Sequence, residues 1–103
     1  MIKVLKKNNV IKISGHAGFN NYGSDIVCAS VSSVIYTIVN SVMNIDSSSI
    51  TYQDDGETIV ITKINSNDVV DILLNTMMEI LKDLEKQYTK NIKIESEEWK
   101  CYI

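Results

Sequence analysis

Hydrophobic and polar residues alternate along two short segments at the start of the chain. The first runs from Ile2 to Leu5 and the second from Val10 to Ser14, with the polar residues 7–9 between them. A period of two is typical of a strand that buries one face. The pattern therefore predicts a β-hairpin whose buried face carries four side chains: Ile2, Val4, Ile11 and Ile13.

A long apolar segment follows residues 15–24, which are rich in glycine and polar side chains and are typical of a loop. From residue 25 onward, apolar residues recur every three or four positions, which predicts a largely buried helix that ends near Met43. Asp25 precedes this pattern directly, and its carboxylate is suited to accept hydrogen bonds from the free N–H groups of a first helical turn. Asp25 is therefore predicted to cap the helix.

The second half of the chain repeats the same order of patterns. Strand-like segments at Ile50–Gln53 and Thr58–Ile64 flank Asp55-Gly56, a pair that favours a type I′ hairpin turn. Ser66 or Asn67 then precedes a second amphipathic pattern and is predicted to cap a second helix. A last alternating segment, Ile92–Ile94, predicts a final strand.

These elements give the order β-β-α-β-β-α-β. Such an order predicts an α+β fold in which two helices cover one face of a mostly antiparallel sheet. At 103 residues, without a linker or a repeat, the chain is expected to form one domain over residues 1–103.

Charge and composition narrow the classes of function. The formal net charge of −3 and the pI near 5.0 argue against a broad cationic face, so no direct binding to nucleic acid is expected. The N-terminal residues lack the features of a secretion signal, and polar residues interrupt the apolar segment 26–43, so no membrane association is expected. A cytoplasmic protein is predicted, in which Cys28 and Cys101 stay reduced.

One pair of residues could carry chemistry. The only histidine, His16, lies in the loop before the predicted helix, and Cys28 falls three residues after the predicted cap. Free N–H groups and the helix dipole of a first turn favour an anion. Thiols at helix N-termini or beside an imidazolium have pKa values of about 3.5–7.5 instead of about 8.5. Cys28 and His16 could therefore act as nucleophile and acid/base partner.

Residue types alone favour a plainer interpretation. A cysteine early in an apolar helix is more often a small core residue, and a lone loop histidine is more often simply solvated. One histidine and two distant cysteines match no recognised zinc framework, so neither a metal nor another cofactor is expected.

A longer motif changes this balance. Ser14-Gly-His-Ala17, followed by Tyr22-Gly-Ser-Asp-Ile-Val-Cys-Ala-Ser-Val-Ser32, resembles the Prp family of ribosomal-processing cysteine proteases, and the predicted elements on either side match that family's layout. The resemblance implies a homodimeric endopeptidase. Its substrate would be the precursor of a large-subunit ribosomal protein, from which it removes an N-terminal extension by cutting after an aromatic residue.

The resemblance also implies roles for individual residues. His16 and Cys28 correspond to the catalytic pair. Three further residues are predicted to support this pair: Asp25 by capping the helix and favouring a protonated His16, Gly15 by letting the substrate backbone approach closely, and Ser32 at the end of the motif. The segment from Gly18 to Ser24 corresponds to a loop that is expected to be mobile and to order over the substrate. The residues expected to meet the substrate there and just before it are Ala17, Gly18, Phe19, Tyr22 and Gly23.

Two other functions remain open at the level of sequence. The first is a non-catalytic module that binds the ribosome or the precursor, with Cys28 merely buried; rapid labelling of Cys28 by iodoacetamide near neutral pH would argue against it. The second is a thiol-dependent transferase that passes an acyl group to an acceptor other than water. Product masses distinguish transfer from hydrolysis.

Overall fold

The computed structural model describes residues 1–15, 22–65 and 67–96, with the backbone alone for residues 22–25. The elements follow the predicted order. They are β1 (Ile2–Lys7), β2 (Val10–Ser14), α1 (Tyr22–Ile45), β3 (Ile50–Asp54), β4 (Thr58–Lys63), α2 (Asp68–Gln87) and β5 (Ile92–Ser96).

The five strands form one sheet in the order β3-β4-β2-β1-β5. Neighbouring strands are antiparallel except β1 and β5, which pair in parallel with Ile2 opposite Ile92. The predicted α+β fold with a mostly antiparallel sheet and two helices is confirmed. The core lies between the helices and one face of the sheet, and its most deeply buried side chains include Val4, Ile35, Val42, Ile61, Val70, Met77 and Leu81.

Helix α1 combines a buried apolar stripe with several hydroxyl side chains. Ser30 and Ser41 donate to the carbonyl oxygens of Ile26 and Thr37, at 2.9 and 2.8 Å, so these hydroxyls are satisfied within the helix. By length and composition, Ile26–Ile45 could cross a membrane, with a mean hydropathy of 1.8. The expectation that this segment is too polar for a span was therefore wrong. The structure uses the apolar stripe of the helix to cover the sheet.

The turn between β3 and β4 differs from its prediction. A type I′ turn requires positive φ at both central residues. Gly56 has a φ of +90°, but Asn8 is the only non-glycine residue with positive φ among residues that the structure describes. Asp55 instead accepts hydrogen bonds through its side chain from the N–H groups of Glu57 and Thr58, at 2.9 and 2.7 Å. These bonds lower the pKa of the Asp55 carboxyl and hold the hairpin tip in shape.

The sequence predicts Ser66 or Asn67 as the N-terminal cap of α2, and in the structure the cap is Asn67. Its side-chain oxygen accepts from the N–H groups of Val69 and Val70, at 3.0 and 3.3 Å. This satisfies two donors that the first turn leaves free.

Candidate active site

A cavity of about 210 Å³ lies between α1 and the sheet. Its walls come from β1, the end of β2, the inner face of α1 and the hairpin of β3 and β4. Aliphatic side chains form its apolar floor: Ile2, Ile13, Val31, Ile35 and Ile59. The cavity is therefore bounded by segments that are far apart in sequence and meet only in the folded chain.

Cys28 contributes a free thiol to this cavity. The residue is partly buried and packs against the core. Ser32 and Tyr36 follow at intervals of four residues, so all three side chains lie on one face of α1, and all three line the cavity. The cavity is a place where a bound molecule could meet the thiol.

Gly15 approaches the same cavity from the end of β2. Its φ of +86° is a conformation that residues with a side chain rarely adopt, and a Cβ atom there would overlap the carbonyl oxygen of Met1. Only glycine fits both constraints. Since His16 is the next residue in the sequence, Gly15 sets the point at which the chain leaves β2 toward His16.

Gly15→Ala is expected to lower the free energy of unfolding by about 3 kcal/mol, because strained φ and overlap with Met1 add together. Gly56→Ala is a matched control: Gly56 has a similar φ of +90°, but nothing lies within 4 Å of its Cβ position. Its expected loss is about 1 kcal/mol, from the φ cost alone. Urea denaturation measures both variants, and equal losses would show that the contact with Met1 has no energetic weight.

The predicted start of α1 was wrong. The helix begins at Tyr22, so Asp25 lies inside it and does not cap it, and Cys28 is its seventh residue. The N–H groups left free at a helix start belong to its first four residues, and the influence of the dipole falls off within the first turn. The prediction that the free N–H groups of the first helical turn stabilise a thiolate at Cys28 is therefore wrong.

The structure brings three of the predicted site residues together at the cavity: Gly15, Cys28 and Ser32. Tyr22 and Gly23 were assigned to a substrate loop, but both belong to the first turn of α1, as does Ser24. The predicted loop is therefore shorter at its C-terminal end. His16, Ala17, Gly18 and Phe19 lie outside the described residues, and so does the predicted mobility of their segment.

Sequence reasoning missed the polar end of the cavity, which Tyr36, Asp54 and Glu57 line. The Asp54 carboxylate accepts from the hydroxyls of Tyr36 and Tyr52, both at 3.4 Å, and from the N–H of Gly56 at 2.9 Å. Burial and then the negative charge of Asp54 raise the pKa of Tyr52 to about 12, so its hydroxyl remains a donor at neutral pH. The spacing of Cys28, Ser32 and Tyr36 could have identified the tyrosine.

Within residues 1–15, 22–65 and 67–96, no group of three His, Cys, Asp or Glu side chains is placed to hold a metal ion. The chemistry available in the cavity is that of a thiol, hydroxyls and carboxylates. Among these groups, the Cys28 thiol is the strongest potential nucleophile.

Comparisons with known proteins agree with this chemistry. The family model described as cysteine protease Prp matches residues 1–93. The ribosomal processing cysteine protease Prp of Staphylococcus aureus is 35% identical over 85 residues, which cover 80% of each chain. Two crystal structures of the S. aureus protease, one with a covalently linked product peptide and one with a substrate peptide, give TM-scores of 0.75 and 0.74. They are 28% and 27% identical to this chain, and each match covers 93% of it and 97% of the crystallised chain. The chain belongs to the Prp family of cysteine proteases.

Proposed function

We propose that this cysteine protease removes the N-terminal extension from the precursor of a large-subunit ribosomal protein, cutting after an aromatic residue. The observation that carries the proposal is the position of the Cys28 thiol in a cavity that Gly15, the residue before His16, also lines. The named activity of the S. aureus relative supports the choice of substrate. The apolar floor of the cavity suits a large apolar side chain next to the bond that is cut.

In the first step, the Cys28 thiolate attacks the carbonyl carbon of the scissile bond, while His16 carries the proton that the thiol has lost. The carbon–nitrogen bond then breaks, His16 gives a proton to the leaving amine, and the acyl group stays on Cys28 as a thioester. The leaving amine becomes the new N-terminus of the mature ribosomal protein.

In the second step, His16 takes a proton from a water molecule, which attacks the thioester carbonyl. The carbon–sulfur bond breaks, the extension leaves as a carboxylic acid, and Cys28 returns to its starting state. Ser32 lies one helical turn beyond Cys28 on the cavity wall, and its hydroxyl is suited to donate a hydrogen bond to the carbonyl oxygen as negative charge develops on it.

Incubation with the precursor encoded in the same genome tests this function. The expected result is one cut, seen by mass spectrometry as two products whose masses sum to the precursor plus one water. Sequencing should find an aromatic residue at the C-terminus of the released extension. A product mass that shows transfer of the acyl group to an acceptor other than water would favour the transferase. Binding of the precursor without any cut would favour the non-catalytic module.

The same proposal places the enzyme in the cytoplasm as a homodimer. Several apolar side chains on the helices are exposed and available to a second subunit, among them Met43, Val69 and Ile72. Sedimentation equilibrium measures the mass directly, and a value near 11.6 kDa at micromolar concentration would contradict the dimer.

A further inference from the structure

The charged side chains that the structure describes at the polar end of the cavity are both acidic. Asp54 and Glu57, both from the β3–β4 hairpin, are the charged residues among the described residues that line it, and no lysine is among them. Lys63 forms an ion pair with Asp71, which involves neither carboxylate. Two negative charges therefore face a cavity of about 210 Å³ without a cation from the described residues beside them.

Hydrogen bonds hold the Asp54 carboxylate in place, but none of them comes from a cationic side chain of the described residues. Its partners are the N–H of Gly56 and the hydroxyls of Tyr36 and Tyr52, all uncharged donors, and both hydroxyls are at the long distance of 3.4 Å. The side chain of Glu57 makes no hydrogen bond or ion pair within the described residues. A cation in the cavity could thus approach both carboxylates without displacing an ion pair.

Tyr36 adds an aromatic surface to this negative end. Carboxylates and an aromatic ring can bind an ammonium or guanidinium group together, because the ring face attracts the cation while the carboxylate pairs with it. Cys28 and Ser32 lie on the same face of α1 as Tyr36, so the thiol and the negative end belong to one continuous surface.

The helix also sets the distance between the two. Tyr36 is eight residues after Cys28, which corresponds to about 12 Å along α1. An extended peptide advances about 3.3 Å per residue, so this distance spans three or four residues of substrate.

We propose that Asp54, Glu57 and Tyr36 form a specificity subsite for a lysine or arginine side chain of the substrate, three or four residues from the scissile bond. The proposal rests on the proposed function, since it assumes that a peptide occupies the cavity. It assigns the β3–β4 hairpin a role in choosing the substrate and none in the bond-breaking steps.

Peptide binding to Cys28→Ala tests the subsite without relying on catalysis. The probes are fluorescent peptides of about twelve residues that span the cut site of the cognate precursor, with each lysine or arginine replaced in turn by glutamine. Replacement of the cation three or four residues from the cut is expected to weaken binding about tenfold, and replacement of other cations to change it much less.

Variants of the enzyme then locate the effect. In the Cys28→Ala background, Glu57→Gln and Asp54→Asn should each weaken binding of the unmodified peptide severalfold and leave binding of the glutamine peptide unchanged. Glu79→Gln is the matched control, because it removes the same charge from an exposed position on α2. Glu57→Lys should reverse the preference, so that a peptide with glutamate at the critical position binds more tightly than one with lysine.

Each outcome bears on one proposal. Equal affinity for the lysine and glutamine peptides, an effect of Glu79→Gln as large as that of Glu57→Gln, or no peptide binding at all would overturn the subsite. Cleavage of both peptides by the wild type at equal rates would overturn the subsite and leave the proposed function standing. Charge-dependent binding without cleavage would overturn the proposed function and leave the subsite standing.

Discussion

Cys28→Ala is expected to abolish cleavage of the precursor, with a loss of at least about 10⁴-fold in rate. The substitution removes the nucleophile and leaves the binding surface of the cavity in place. Alanine favours a helical backbone, and Cys28 is only partly buried, so α1 should keep its structure. Mass spectrometry of the reaction measures the loss of cleavage, and circular dichroism of the variant measures whether its helices are kept.

The second cysteine provides the matched control for this experiment. Cys101→Ala should cut at the wild-type rate, since the proposed chemistry assigns no role to Cys101. Cleavage by highly purified Cys28→Ala at more than a few per cent of the wild-type rate would exclude Cys28 as the nucleophile. Loss of helical signal in that variant would instead assign the residue a role in packing.

His16→Ala is expected to slow proteolysis by about 10²–10⁴-fold, the range typical of a lost general acid and base. Alkylation of Cys28 by iodoacetamide should slow far less, and mainly at pH 6–7. In the wild type, the positive imidazolium stabilises the thiolate, and this stabilisation is lost as the imidazole loses its proton at higher pH. The variant and the wild type should therefore converge as pH rises.

The presence of a single histidine makes the coupling directly measurable. Proton NMR of the imidazole should give one titration curve, and its midpoint should fall in Cys28→Ala, because a neighbouring thiolate favours the protonated imidazole. Identical midpoints, together with identical pH profiles of alkylation in His16→Ala and the wild type, would show that the two residues do not interact.

Local patterns predicted most of the fold. The alternation in β1 and β2 and the apolar stripe of α1 are set by neighbours in sequence, and both were confirmed. The cap of α2 is Asn67, one of the two residues that the sequence predicted. The start of α1 was not predictable in the same way. Glycine and serine at positions 23 and 24 disfavour a helix on their own, yet both belong to α1, so the rest of the fold outweighs their local preference.

The candidate active site likewise contains residues that the sequence could predict and residues that it could not. Gly15, Cys28 and Ser32 could be proposed from one continuous motif. Asp54 and Glu57 could not, because they reach the cavity only through the placement of the β3–β4 hairpin at one end of the sheet. Strand order depends on contacts between distant segments, and the alternation within each strand carries no information about its neighbours.

The parallel pairing of β1 with β5 has a consequence for how the enzyme is made. It joins Ile2 to Ile92, so β1 must wait for its partner until about 90 further residues have been synthesised. At about 5–20 residues per second, this delay lasts roughly 5–20 s, during which one edge of β1 has no neighbour. An unpaired edge is a template for association with other chains. Until β5 is synthesised and pairs with β1, the new chain is therefore exposed to aggregation through this edge.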